Sequence, residues 1–212
     1  VGARRHLLQK ISCHVSKVSI SHAFELKTWE SRVCPALSKS KLRELELHEG
    51  ALPNKDYTLR LGAVLQVHRS VRVLTFEKCA FPALLLDASL LVELRLHGCD
   101  LCLPFIGALQ TVLRRGKLAR LEISSCVLGS MSIRHDEGAA LAQALSGANV
   151  LEWVRLDNAG SVDAFVSALQ MVPTLRKLEL AQSTVISPEV VGKLVAGGAL
   201  EECKVSFRIV GP

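Results

Sequence analysis

The sequence predicts an α/β solenoid: a curved parallel sheet on one face, helices and loops on the other, in about seven or eight repeats. Three observations predict it. First, Leu91, Leu94, Leu96, Cys99 and Leu101 form a frame, LxxLxLxxCxL, that recurs along the chain. Leu42, Leu45, Leu47 and Leu52 repeat it with Gly50 at the cysteine position. Val71, Leu74, Phe76, Cys79 and Phe81 follow it, as do Leu118, Leu121, Ile123, Cys126 and Leu128. Leu151, Val154 and Leu156 start another copy, and Leu175, Leu178, Leu180, Ser183 and Val185 a further one. Weaker copies flank these at Val15/Val18/Ile20 and Leu200/Cys203/Val205. Second, each frame alternates apolar and polar residues, as a half-buried strand does. Third, several stretches between frames, such as Tyr57 to Val67, carry apolar residues at helical spacing.

In chain order, residues 1–14 read as a basic lead-in and Val15 to Ile20 as the first strand. Ala23 to Leu37 reads as a helix broken near Pro35, because proline removes a helical N–H and crowds the preceding turn. A strand follows at Leu42 to Leu47, then a turn at Pro53-Asn54 and the helix at Tyr57 to Val67. Strands are expected at Arg72 to Phe76, Glu93 to Leu96 and Ala119 to Ile123. The connection from Pro82 to Ser89 is too short for much helix, whereas Phe105 to Arg115 is long enough. Gly129 to Arg134 reads as an extra loop before a helix at Asp136 to Ser146, with Asp136 as its N-cap. Trp153 to Leu156 and Lys177 to Leu180 are strands separated by a helix at Val162 to Met171. Ser187 and Pro188 read as an N-cap and a first helical residue, starting a helix that ends before Gly197-Gly198. The last strand is Glu202 to Phe207.

The frame resembles that of the leucine-rich repeat family. Glu137 to Asp157, EGAALAQALSGANVLEWVRLD, is similar to the helical subtype found in ribonuclease inhibitor: a helix, a short loop, then the frame. The resemblance covers about Val15 to Val205, though the frames start at uneven intervals, at 15, 42, 71, 91, 118, 151, 175 and 200. It implies a horseshoe with a binding surface and names no ligand, because one fold hosts many functions. The family's small, buried position near the turn after each strand falls on Cys79, Cys99 and Cys126, which read as structural thiols.

Composition narrows the class further. No stretch approaches 18 apolar residues, so no membrane span is expected. Seven cysteines and no Asn-x-Ser/Thr site point to a reducing, intracellular setting, in the cytoplasm first and an organelle second. The chain opens VGARRHLL without Met, and neither end shows the polar cap a solenoid needs, so a fragment of a longer chain is expected. The net charge of +6 is uneven. Residues 1–43 hold nine Lys/Arg against Glu25 and Glu30, while the repeats that follow are close to neutral. Basicity therefore reads as a property of the N-terminal segment.

Strand alternation points the third, fifth and seventh frame positions onto the concave side. Neighbouring strands then stack them into rows. The third row reads Lys17, Glu44, Val73, Glu93, Arg120, Trp153, Lys177, Glu202. The fifth reads Ser19, Glu46, Thr75, Arg95, Glu122, Arg155, Glu179, Lys204, alternating in sign from Arg95 onward, so neighbours along it are expected to pair. The candidate binding centre is Trp153, Arg155 and Asp157, ringed by Arg120, Glu122, Lys177 and Glu179, because Trp and Arg dominate binding hot spots.

The seventh row brings His48, Glu77 and His97 together. The two histidines stand about 9.6 Å apart across a flat sheet, too far for one zinc ion with bonds of about 2 Å. Pairing of Glu77 with an imidazole is expected instead, and no metal. Cys99-x-x-Cys102 lacks a second half-site. No GxSxG, phosphate loop or HExxH is present, so neither catalysis, cofactor nor small-molecule substrate is expected. The functional expectation is a non-catalytic scaffold, adaptor or sensing domain that binds a protein partner through its concave face. The alternative is a structural subunit of a ribonucleoprotein or organellar complex, docked on nucleic acid by its basic N-terminal segment. A regulator of a GTPase is a minor third reading.

Overall fold

Eight parallel strands build one open α/β sheet, and their order in the sheet is their order in the chain. They are β1 (Lys17–Ile20), β2 (Glu44–Leu47), β3 (Val73–Glu77), β4 (Glu93–His97), β5 (Arg120–Ser124), β6 (Trp153–Asp157), β7 (Lys177–Ala181) and β8 (Glu202–Val205). The computed structural model describes residues 15–205 except 23–24, 53, 68–69, 80–82, 87–89, 100–102, 127–139, 141–142, 158–166, 168, 171, 182–186 and 197–199. The lead-in at 1–14, the loop at 129–134, most of the helices expected at 136–146 and 162–171, Cys102 and the end of the last strand lie outside the described residues.

The register repeats without a slip. Leu45 pairs with Leu74, Leu74 with Leu94, Leu94 with Leu121, Leu121 with Val154 and Val154 with Leu178. A slip of one residue would turn every strand leucine to the opposite face, so burial of one face locks the pairing. In β4 to β7 the second and fourth residues are buried and the others half-buried or exposed. The buried set joins one hydrophobic cluster with helix residues, among them Trp29, Leu61, Leu85, Phe105, Leu109 and Leu113. The backbone ladder continues one residue before the strands. The Arg72, Val92, Ala119 and Glu152 amides donate to Arg43, Arg72, Val92 and Ala119, at 2.8–2.9 Å.

Most connections form where their capping chemistry places them. The Asn54 side chain accepts from the Asp56 amide at 3.0 Å and starts the helix Lys55–Val67. Ser187 accepts the Val190 amide at the head of Pro188–Ala196. The short connection expected to hold little helix has one turn, Ala83–Leu86. The expected break at Pro35 does not occur. Helix runs from Leu26–Thr28 through a π turn at Trp29–Val33 into Cys34–Lys39. The Cys34 amide donates to Trp29, five residues back. That wider turn opens the ladder one residue before Pro35, where an α-helical ladder has no room for the ring.

Three strands end on a left-handed residue, Lys78 (φ 51°), Gly98 (φ 61°) and Ser125 (φ 50°). A Cβ on Gly98 would lie 2.9 Å from Lys78 Cγ, so glycine suits that rung sterically as well as conformationally. Among the described residues no helix is long and apolar enough to cross a membrane.

The packing sets a clear stability ranking. Leu121→Ala, at a fully buried strand position, is expected to cost about 2–5 kcal/mol. Val92→Ala, at a position 40% exposed, should stay within about 0.5 kcal/mol. Urea unfolding of the two variants checks the ranking, and equal losses would overturn the assignment of faces.

Candidate functional site

The unburied face of the sheet presents the third, fifth and seventh rows in the register that alternation predicts. Arg120, Trp153 and Lys177 are direct neighbours on β5, β6 and β7, and so are Glu122, Arg155 and Glu179. This face is covered by ion pairs; several follow the third row, such as Lys17–Glu44 and Lys177–Glu202, but few follow the fifth. Arg95 bonds Glu93 two residues back on its own strand, through Nε at 2.7 Å and Nη2 at 2.6 Å. Lys177 reaches Glu179 on its own strand and Glu202 on β8, both at 3.0 Å. Lys17 holds Glu44 and Glu46 at 3.0 and 2.7 Å. Only Arg155–Glu122, at 3.7 Å, follows the fifth row as expected, and Arg155 also meets Asp157 at 3.5 Å. Long basic side chains lie along their own strand as readily as across it, so pairing zigzags between rows.

β3 interrupts the network, because Val73 and Thr75 stand where the neighbouring strands carry charge. Arg95 reaches past β3 to within 3.7 Å of Glu44 on β2. Thr75 is 8% exposed, and its hydroxyl has no hydrogen-bond partner among the described residues. Arg155 Nε is buried with no hydrogen bond among the described residues, and its paired carboxylate oxygen, on Glu122, lies at 3.7 Å.

A hollow of about 620 Å³ opens on this face between β4 and β7. Trp153, Arg120, Glu122, Lys177 and Glu179 line it. Arg155 and Asp157, placed at the centre by the sequence, do not. Glu93, Arg95, His97, Glu152 and Arg176 do. Glu152 and Arg176 escape the strand pattern because they lie one residue before the strand, where the chain still bonds to its neighbour. Trp153 is half-buried and hydrogen-bonds Glu179. Burial pushes the Glu179 carboxyl up, but hydrogen bonds from Lys177 and Trp153 and the charges of Lys177 and Arg155 outweigh it. Glu179 therefore titrates below its ordinary 4.5.

In the seventh row Glu77 pairs with one imidazole, His48, whose Nδ1 lies 2.6 Å from the carboxylate. His48 Nε2 lies 2.9 Å from Ser19 Oγ, giving a Ser19–His48–Glu77 chain across β1 to β3. A hydroxyl, an imidazole and a carboxylate in that order resemble a nucleophile with its base and orienter. Ser19 is nonetheless exposed on the sheet surface, three strands from the hollow, so the chain reads as a polar ladder. Sequence spacing missed Ser19 because it belongs to the fifth row and His48 to the seventh. Among the described residues no cluster could hold a metal.

The three aligned cysteines are buried and unlinked. Their thiols donate to the carbonyls of the preceding strand: Cys79 to Leu47 at 3.1 Å, Cys99 to Phe76 at 3.6 Å and Cys126 to Leu96 at 3.4 Å. Each closes one rung of the stack. Burial pushes the Cys79 thiol up to about 12. The neighbouring Cys99 sulfur and burial push the Cys126 thiol up as well.

Two basic residues of the N-terminal segment fall among the described residues at the sheet's edge, in different settings. Lys17 from that segment is neutralised on the sheet face, and Arg43 stands in line with Arg72 from the next repeat. Compared with models of known protein families and with curated proteins, the chain matches none.

Two outcomes follow. A carboxyl that titrates lower in the folded protein stabilises the fold above its ordinary value, and that contribution is lost as pH falls through the folded value. Trp153 emission is therefore expected to titrate below pH 4.5, and Glu179→Gln should remove the transition; an unchanged titration would sever Trp153 from Glu179. Site-resolved alkylation of the folded protein should label Cys34 and Cys203 before Cys79, Cys99 and Cys126, which need unfolding. Equal rates at all five would refute the thiol rungs.

Proposed function

We propose that the chain is a leucine-rich repeat solenoid that binds a protein partner on the unburied face of its sheet, as a scaffold, adaptor or sensing domain. The observation that carries this reading is the hollow around Trp153. It combines a half-buried indole with charged groups of both signs, the composition of a protein-binding hot spot with a polar surround. Arg120 supports it. Its side chain is 62% exposed, and its pairing with Glu93 is long, at 3.9 Å. A partner carboxylate would gain a cation there without breaking a tight internal bond. The other charges of the face are largely spent on each other, which disfavours a ligand of one strong sign. Repeated frames and an all-parallel sheet in chain order support the repeat identity, and the residue types of the hollow favour binding over chemistry.

Trp153→Ala with Arg120→Ala tests the reading. Binding of an isolated partner, measured by calorimetry, is expected to weaken by about 2 kcal/mol or more, with an unchanged far-UV circular dichroism spectrum. A partner held equally well by wild type and double variant would overturn the hollow as its site.

A further inference from the structure

Cations on the sheet face are paired, whereas several at the rim before the strands form no ion pair among the described residues. Lys39, Lys41 and Arg43 lead into β2, Arg72 into β3, and Arg114 and Lys117 into β5. All six are exposed. Among the described residues Lys39, Lys41, Arg43, Arg114 and Lys117 form no ion pair, whereas Lys17, Arg95, Arg155 and Lys177 on the face all do. Positions 38–43, 70–72, 90–92 and 114–119 contain no acid. After β5 the pre-strand position alternates in sign, with Glu152, Arg176 and Glu201 before β6, β7 and β8, and Arg176 is paired with Glu201.

The backbone ladder shows that these loops share one end of the sheet. The Arg43, Arg72, Val92 and Ala119 amides bond in turn to Ser16, Arg43, Arg72 and Val92. Three strand spacings, about 14 Å, separate β2 from β5. Lys39 and Arg114 end helices, where a cation offsets the helix dipole, and that alone accounts for those two. It does not account for Lys41, Arg43 or Lys117, which stand beyond helix ends and immediately before strands.

We propose that this rim binds a single-stranded nucleic acid through its phosphates. The reading is independent of the protein-binding hollow. A protein partner needs a buried aromatic or apolar anchor, and the rim offers only Val92 and Ala119 between its cations. A phosphate backbone needs no anchor, because release of condensed counterions supplies the affinity. The lack of aromatics also means that bases are not stacked, so binding is indifferent to sequence. A single strand can follow one line of cations. A duplex presents two backbones across a groove of about 6 or 12 Å, and the second would meet the acid-bearing face or the helices.

Fluorescence anisotropy with a labelled mixed-sequence 20-nucleotide RNA, over a series of salt concentrations, tests the proposal. Wild type is expected to bind at low salt, with log affinity falling linearly in log salt. Lys41→Ala/Arg43→Ala/Arg114→Ala/Lys117→Ala should lower that slope by roughly 2–3, at about 0.7 per phosphate contact, and weaken binding tenfold or more at 50 mM salt. The charge-keeping set Lys41→Arg/Arg43→Lys/Arg114→Lys/Lys117→Arg should bind like wild type, which separates charge from misfolding. No binding by wild type at low salt overturns the proposal. So does tighter binding of a duplex, or equal binding of polyglutamate at matched charge. Binding unchanged in the alanine variant but lost on Arg4→Ala/Arg5→Ala/Lys10→Ala also overturns it, in favour of the N-terminal segment.

Discussion

The constraint on which this structure depends is the in-register pairing of parallel strands. Each strand meets its neighbours position for position, so whatever occupies one frame position forms a line across the sheet. Leucines at the second and fourth strand positions become a continuous core. Thiols two residues beyond the strands become hydrogen-bonded rungs. Residues just before the strands become a rim. None of these needs a long-range coincidence in the sequence; each is one local pattern repeated at a fixed offset.

Magnitudes separate what holds the fold from what decorates it. A buried leucine contributes about 2–5 kcal/mol, an exposed ion pair at most about 1 kcal/mol. The charges on the unburied face therefore add little to folding, even though almost every one has a partner. Their larger effect is to cancel the field of that face and to fix where its long side chains lie. Arg95 illustrates this: it spans β3 towards Glu44, across the strand that carries Thr75 in place of a charge.

Much of the fold was legible because strand alternation is a strong signal when the same positions recur. Trp153 between Arg120 and Lys177, and Glu122 beside Arg155, lie where spacing alone put them. Pro35 was misread because the rule against proline in helices assumes α geometry, and the π turn ahead of it relaxes that rule. The fifth-row partners of Arg95 and Glu179 were misread because strand spacing locates a Cβ, whereas an arginine or lysine head group can lie several ångströms from it in any direction. The hollow was half legible: its strand residues follow the alternation, while Glu152 and Arg176 precede the strands. The rim was illegible for a different reason. Each loop supplies only one or a few cations, diluted in sequence by neutral residues, and only stacking concentrates them.

The left-handed turns at Lys78 and Ser125 carry an engineering consequence. A residue with a Cβ pays roughly 1–2 kcal/mol to hold that backbone, and glycine already does the same task one rung away at Gly98. The chain thus retains unused thermodynamic headroom at two rung ends.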